Sequence, residues 1–239
     1  PVYVDLGVTK PQLYVGEGIS EYAVLGTSQQ EQACVGAAAE PYSADGGVKL
    51  TNLWRRVAFA LTFNEYNLFG SSLIEPDSQI LWVRNVRDRA EKVAPFLRFD
   101  ADPYPVVVDG KVQWIIDAYT VSDRYPYSQS ANVNQLTPGS GLSTDFNYVR
   151  NSVKVVIDAY SGAMTFFIVD SEDPIVQTWS TVFPKLFTSI SGAPSELVDH
   201  FRYPEDLFRV QTNMYGRYQF GDRSEEHTSE LQSRFGISY

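Results

Sequence analysis

The sequence contains few of the residues from which catalytic and metal sites are usually built. It has one cysteine, Cys34, and two histidines, His200 and His227, in 239 residues. A single cysteine excludes an internal disulfide, and neither a zinc-finger spacing nor an H-E-x-x-H motif occurs. We therefore predict no metal site and no cofactor, and a hydrolase with a histidine base would have to use His200.

Long apolar runs and phosphate-binding loops are also missing. The most apolar run, Val57 to Phe63, is far shorter than the ~20 residues that span a bilayer. No G-x-x-x-x-G-K-[ST] loop occurs, and Gly16-Glu17-Gly18 lacks the third glycine of a dinucleotide-binding turn. The chain has 19 Lys and Arg but 29 Asp and Glu, and the resulting net charge of −10 argues against a nucleic-acid partner.

The composition is that of a folded chain. Apolar residues make up 44% of it and aromatic residues 14%. Such a chain is too apolar for disorder, and at this length it can bury roughly 70% of its unfolded surface. We assign residues 1–222 to one domain, which begins at Pro1 without a signal peptide and is predicted to be a fragment of a longer protein.

The C-terminal segment, residues 223–239, differs from the rest of the chain. From Arg223 to Ser233 it reads R-S-E-E-H-T-S-E-L-Q-S, which resembles the translation of a common DNA sequencing adapter. We therefore expect this segment to be an artefact that makes no tertiary contacts.

The N-terminal part alternates short β-type runs with turn residues. Leu13–Val15 and Tyr22–Leu25 are predicted strands, and residues 28–47 are a predicted loop. A helix follows over residues 51–62, with Thr51 or Asn52 as its cap. Its predicted apolar face consists of Leu53, Trp54, Val57, Ala58 and Leu61, with Arg55 and Arg56 on the outer face.

Two β-hairpins are predicted in the centre of the chain. Each has two strand-like runs and a two-residue turn: residues 105–108, Asp109-Gly110 and 111–119, then 152–160, Ser161-Gly162 and 163–170. Asp-Gly favours the positive φ angles of a type I′ turn. The tetrapeptide I-D-A-Y occurs at 116–119 and again at 157–160, which we interpret as two neighbouring strands of one antiparallel sheet with similar end chemistry; internal duplication is the alternative.

These elements predict an α+β fold. Its antiparallel sheet is built from the two central hairpins and flanked by several amphipathic helices, at residues 51–62, 174–183 and 204–218. Asp173 is the predicted cap of the helix at residues 174–183, with Pro174 at its first position. A shorter helix, Val86–Ala94, ends at Pro95.

Carboxylate, arginine and tyrosine side chains near the predicted strand ends form the candidate site. They are Asp117, Asp123, Arg124, Tyr125, Tyr127, Arg150, Asp158 and Glu205. Such residues can line a sugar-binding cleft or a carboxylate dyad, which glycoside hydrolysis requires at about 5–9 Å separation. The structural alternative is that the aspartates bond to backbone N–H groups in turns and the arginines pair with them.

We expect the functional surface around residues 122–129. Pro126 restrains Tyr125 to an extended conformation, which predicts two tyrosine rings held rigidly beside Arg124. The polar loop of residues 128–145 is predicted to move over this surface.

Five sequence blocks carry a resemblance to a known family. They are Asp102–Gly110, Trp114–Thr120, Ser122–Gln129, Asn147–Tyr160 and Arg202–Gln211. In this order and spacing they resemble uncharacterised protein family 0182, a family of large bacterial multi-pass membrane proteins. The resemblance extends over residues 10–219, except for residues 28–46.

The resemblance implies a fragment of the large soluble region that follows the transmembrane helices, on the extracytoplasmic side of the cell membrane. Its implied partners are the remainder of its own membrane protein and an envelope component, with the oligomeric state left open. The family has no established catalytic residues, so none can be transferred. A non-catalytic binding domain, a carboxylate-dependent hydrolase of envelope carbohydrate and an accessory module of a transporter all remain as functions.

Deleting residues 223–239 should leave the melting temperature of the chain unchanged, because a sequence of adapter origin was never selected to pack. Differential scanning calorimetry of the chain ending at Asp222 checks this. A loss of several degrees would show that the segment belongs to the fold.

Overall fold

The structure is a computed structural model that describes residues 7–29, 42–131, 136, 138–142 and 145–219. The proposed artefact segment, and most of the predicted loop at residues 28–47, lie outside the described residues.

The described part of the chain contains both strands and helices, with five strands in succession at its centre. The strands are β1 Ala23–Leu25, β2 Val48–Lys49, β3 Gln79–Leu81, β4 Arg98–Phe99, β5 Tyr104–Val108, β6 Lys111–Ser122, β7 Tyr148–Asp158, β8 Met164–Ile168 and β9 Phe187–Ser189. The helices are α1 Leu53–Phe63, α2 Asn67–Gly70, α3 Val86–Val93, α4 Pro174–Val182, α5 Ser195–Asp199 and α6 Glu205–Gln219. The predicted α+β fold is confirmed.

The central sheet has six strands and contains both predicted hairpins. Its order is β4-β6-β7-β8-β9, and β5 pairs with the first part of β6. The turn between β5 and β6 has φ angles of 50° at Asp109 and 70° at Gly110, as a type I′ turn requires. β9 adds in parallel to β8, so the sheet is mixed and not purely antiparallel.

The repeated tetrapeptide lies in neighbouring strands, as predicted, but its two copies differ in their position within the strand and in burial. β6 and β7 pair antiparallel. Asp117 lies inside β6, because this strand continues to Ser122, whereas Asp158 ends β7. Tyr119 is fully buried, while Tyr160 is only half-buried. The prediction of similar end chemistry is therefore wrong.

Three further strands form a small sheet of order β1-β3-β2. The prediction at Tyr22–Leu25 is confirmed by β1. Leu13–Val15 is not a strand, because the chain crosses the end of β7 there instead of running beside it. The N–H groups of Tyr14 and Val15 both donate to the carbonyl oxygen of Ala159 at 2.9 Å.

Helix α1 buries a different face from the predicted one. Leu53, Trp54 and Leu61 are 58%, 77% and 72% exposed. Phe59 is buried instead, and Arg56 points inward, where its guanidinium donates to three backbone carbonyl oxygens at 3.0, 3.1 and 3.4 Å. The helix carries apolar residues on two sides, and the aromatic side packs on the small sheet.

The helix ends follow the predicted capping chemistry. Asn52 caps α1, accepting from the second helical N–H at 3.0 Å, and Asn85 caps α3. Asp173 caps α4 with Pro174 at the first helical position.

Helices cover both faces of the central sheet. On one face Val86 of α3 and Val176 of α4 join the largest apolar core. On the other face Leu197 of α5 and Leu207 of α6 pack in two smaller clusters.

The segment of residues 128–145 is partly packed into the fold. Leu142 is fully buried, and the N–H of Gly141 donates to the carbonyl oxygen of Phe99 at 3.0 Å. Residues 138–142 are therefore anchored to β4 and do not lie free above the predicted surface.

Replacing Gly141 with alanine tests this anchor. The new Cβ would lie 2.7 Å from both the N and O atoms of Phe99, so the backbone has to move apart. We expect Gly141→Ala to lower the free energy of unfolding by about 1–3 kcal/mol in urea titrations. Gly70→Ala, where no atom lies within 4 Å of the new Cβ, is the control and should change little. Equal midpoints for both variants would contradict the anchoring.

Candidate functional site

The structure does not bring the eight predicted residues together in one cleft. Asp158 accepts from the N–H groups of Tyr160 and Ser161 at 2.9 and 2.7 Å, and so closes the turn after β7. Glu205 pairs with Arg209 on the surface of α6, with an Nε–Oε1 distance of 2.9 Å. These two carboxylates have the local, structural roles that strand and helix ends predict.

Five of the predicted residues do lie around one end of the β6–β7 pair. We call this the edge surface; it consists of Asp123, Arg124, Tyr125, Tyr127 and Arg150, together with Tyr148. The ring of Tyr125 stacks on the ring of Tyr148 with a centroid distance of 5.6 Å. The guanidinium of Arg150 lies 6.0 Å from the centroid of Tyr148 and donates to Asp170 at 2.9 Å.

The turn after β6 holds one of the two predicted tyrosines and leaves the other free to solvent. The side chain of Asn147 accepts from Tyr125 N–H at 2.9 Å and donates to Tyr125 O at 2.8 Å. Tyr127 is fully exposed and has a left-handed backbone with φ 58°. The ring of Tyr125 thus packs on Tyr148, whereas the ring of Tyr127 lies in solvent. Asp123 and Arg124 are exposed and form a loose pair at 3.7 Å.

A buried carboxylate, Asp173, lies beneath the edge surface. It accepts hydroxyl hydrogen bonds from Thr120, Ser152 and Tyr148 at 2.5, 2.6 and 2.7 Å, and backbone ones from the first turn of α4. Burial alone would raise the pKa of Asp173, but these hydrogen bonds together lower it below its usual range. In turn, burial and the Asp173 carboxylate raise the pKa of Tyr148 to about 12, so its hydroxyl stays a donor.

An extra residue in β7 makes this arrangement possible. Ala118 pairs with Val153 and Thr120 pairs with Arg150. The chain therefore advances by two residues in β6 but by three in β7, which gives β7 one extra residue. Such a bulge changes the alternation of side chains. Ser152 consequently reaches the carboxylate at the start of α4, on the face where its neighbour Val153 packs in the core.

An ion pair is buried on the opposite face of the same strands. Asp117 receives hydrogen bonds from the ammonium of Lys154 and from Asn151 Nδ2, the latter at 3.0 Å. The Lys154 ammonium also donates to the carbonyl oxygen of Arg202 at 2.8 Å and lies 5.2 Å from the ring centroid of Phe201. Burial raises the pKa of Asp117 above its usual range although Lys154 acts to lower it.

Two more buried carboxylates join α6 to the sheet. Asp100 accepts from the hydroxyl of Tyr119 and, at 3.3 Å, from the N–H of Asp206. Asp206 Oδ2 accepts from the N–H of Ala101 at 3.3 Å, while its Oδ1 is buried without a hydrogen-bond partner among the described residues. Burial, more than any neighbour, raises the pKa of Asp100.

Sequence reasoning found the cap at Asp173 but not its other partners. Thr120, Ser152 and Tyr148 precede it by 53, 21 and 25 residues, and no local pattern pairs them. A signal existed for Lys154, since a lysine inside an otherwise apolar strand needs a buried partner.

Among the residues that the structure describes, no three His, Cys, Asp or Glu side chains gather as a metal site would require. In the same part of the chain no helix is long and apolar enough to cross a membrane.

Fold and surface define an α+β domain that displays an aromatic and arginine-bearing edge above a buried polar support. The chain belongs to the uncharacterised protein family UPF0182, whose family model matches residues 2–230.

Similar proteins come from distant organisms, and each carries only the name of the family. A protein of Trichodesmium erythraeum is 41% identical, over 97% of this chain and 26% of its own length. A protein of Pelotomaculum thermopropionicum is 42% identical over 91% of this chain and 23% of its own length. A protein of Methanospirillum hungatei is 41% identical over 92% of this chain and 24% of its own length. The chain thus spans about a quarter of the length of the curated relatives it matches. No solved structure matches it.

Removing Lys154 should destabilise the fold strongly, because Asp117 would remain buried without a cation. We expect Lys154→Met to lower the free energy of unfolding by about 3–5 kcal/mol at pH 7, and Lys154→Met with Asp117→Asn to lose much less.

Losing Lys154 raises the folded pKa of Asp117 further above its unfolded value. The deficit of the single variant should therefore be smallest in acid and grow as the pH rises through that pKa. Urea titrations at several pH values measure it, and a deficit that shrinks with rising pH would contradict the assignment.

Proposed function

We propose that this chain is a non-catalytic binding domain of a larger protein and that the edge surface contacts its partner. The observation that carries the proposal is the fully exposed ring of Tyr127 next to Arg124, adjoining the stacked pair Tyr125 and Tyr148. Exposed aromatic rings beside arginines are typical of residues that dominate binding energies.

The backbone at Tyr127 supports the same conclusion. A bulky residue with φ 58° is uncommon, and conformations of this kind cost about 1–3 kcal/mol. The ring stabilises no core here, since it is fully exposed. A strained residue that displays its side chain to solvent favours a role in binding over a role in folding.

We propose further that the partner is an envelope component on the extracytoplasmic side of a multi-pass membrane protein. The support is the resemblance carried by the five sequence blocks. The test uses cells that carry the intact protein with Cys34→Ser and Tyr127→Cys, so that the new thiol lies at the edge surface. A membrane-impermeant maleimide should label this thiol without permeabilisation of the cells. Labelling only after permeabilisation would contradict the location.

The carboxylate-dependent hydrolase has less support from the geometry. Asp117 is paired with Lys154, Asp158 bonds its own turn and Glu205 pairs within α6. Each of these carboxylates is thus bonded to a structural partner. No specific observation favours the transporter module.

Removing the two exposed side chains of the edge surface tests the binding function. We expect Arg124→Ala with Tyr127→Ala, in the intact protein, to reduce competitive growth to that of the deletion strain, because binding is lost. The melting temperature and the amount of protein should not change, since both side chains are exposed. Tyr203→Ala, which removes another exposed tyrosine, is the matched control and should grow like wild type. Wild-type growth of the double variant, where the deletion strain fails, would exclude the edge surface.

A further inference from the structure

A second surface of the domain is apolar and lies on the small sheet and its helices. Eight large apolar side chains are exposed between residues 48 and 82. They are Val48, Leu53, Trp54, Leu61, Tyr66, Phe69, Leu73 and Trp82. Exposed apolar side chains scattered singly are ordinary, but a concentration of them marks an interaction site.

Helix α1 has apolar stripes on opposite sides. Phe59 and Phe63, four residues apart, pack against the small sheet. Trp54, Ala58 and Leu61 repeat at i, i+4 and i+7 and therefore form one stripe on the outward side, where all three are exposed. A helix that is apolar on both sides is typical of a buried element, and here only one side is covered.

A groove runs beside the outward stripe. It has a volume of about 590 Å³ and lies between α1 and the start of α3. Its apolar wall is formed by Ala58, Phe59, Phe63 and Trp82. Ala58 belongs to both the groove and the outward stripe, so ridge and groove form one continuous surface, which we call the α1 face.

The charge near the α1 face favours an apolar protein contact. Between residues 48 and 82, Lys49, Arg55 and Arg56 are balanced by Glu65, Glu75 and Asp77, a net charge of 3 − 3 = 0 in a chain of −10. Arg84, Lys92 and Asp88, which line the groove outside that range, add a net charge of 2 − 1 = +1. A nearly neutral surface gives little long-range attraction to a charged partner, so burial of apolar side chains has to provide most of the binding energy.

We propose that the α1 face packs against a part of the same polypeptide that lies outside these 239 residues. The matched relatives are about four times longer than their aligned region, so most of such a polypeptide lies elsewhere. A tethered segment is present at an effective concentration on the order of millimolar and avoids much of the entropy cost of association. A second copy or an unrelated protein has neither advantage. The segment that packs on the α1 face is thus an apolar helix or loop of the same polypeptide, outside these 239 residues.

Photo-crosslinking in the intact longer protein tests this proposal. p-Benzoylphenylalanine is introduced in place of Trp54 or, separately, Leu61, and in place of Tyr203, an exposed tyrosine that belongs to neither proposed surface, as the control. After irradiation, denaturing electrophoresis separates links within one polypeptide, which run at the size of the monomer, from links between copies, and mass spectrometry identifies the linked peptides. Both replacement sites on α1 are exposed, and the melting temperature of each variant confirms folding.

The expected result is a cross-link from Trp54 and Leu61 to a peptide of the same chain outside these 239 residues. Its yield should be several-fold above the yield of such links from Tyr203. Links between identical chains in a dimer-sized product would identify a second copy, and links to residues within these 239, to another protein or to lipid would identify a different occupant. Any of these as the main product, or yields no higher than the control, would overturn the proposal.

Discussion

The Asp173 carboxylate is the interaction on which the edge surface and the β6–β7 strands beneath it depend. It starts α4 and ties that helix to Thr120 of β6 and to Ser152 and Tyr148 of β7. Hydrogen bonds to a charged acceptor contribute about 1.5–3 kcal/mol each, and the N-terminus of a helix adds a favourable dipole. Together they keep a buried carboxylate ionised and explain why its pKa is lowered. Because Tyr148 is one of its donors, the same carboxylate fixes the ring on which Tyr125 stacks.

The extra residue in β7 distributes polar groups to both faces of the sheet. It lets Ser152 reach α4, while Asn151 and Lys154 both reach Asp117 on the other face. The strands are thus held on one side by an ionised acceptor with hydroxyl donors and on the other by an ion pair. Polar networks of this kind specify one arrangement of the strands, because any other would leave charges buried without partners. The small sheet combines aromatic packing around Phe59 with hydrogen bonds from Arg56, Ser78 and Gln79 to the backbone of neighbouring loops.

Local patterns predicted the elements, and long-range contacts decided what the residues do. Asp109-Gly110, the cap at Asp173 and the proline after α3 act within a few residues, so their roles could be predicted from the sequence. The bulge at Ser152 could not, because strand pairing across a loop determines it. Helix α1 has apolar residues on two sides, so its sequence alone did not determine which side is buried. The buried side is the one with Phe59, because that side packs on the small sheet.

The same limit applied to the candidate site. The sequence predicted the exposed turn after β6, because charges, prolines and aromatic residues there are visible locally. It could not separate Asp117 and Asp158, which share the I-D-A-Y context yet differ in burial and partner. Only the pairing of β6 with β7 places Lys154 opposite the first of them.

Hydrogen–deuterium exchange of the chain with Asp173→Asn tests the central claim most directly. Asparagine still accepts from the first turn of α4, but it is a weaker acceptor for the three hydroxyl groups. We predict faster exchange in residues 120–128, 145–152 and 174–182, with residues 111–117 and 154–158 as protected as in the wild type. Equal acceleration throughout the sheet, or none at all, would contradict the role of Asp173 as the support of the edge surface.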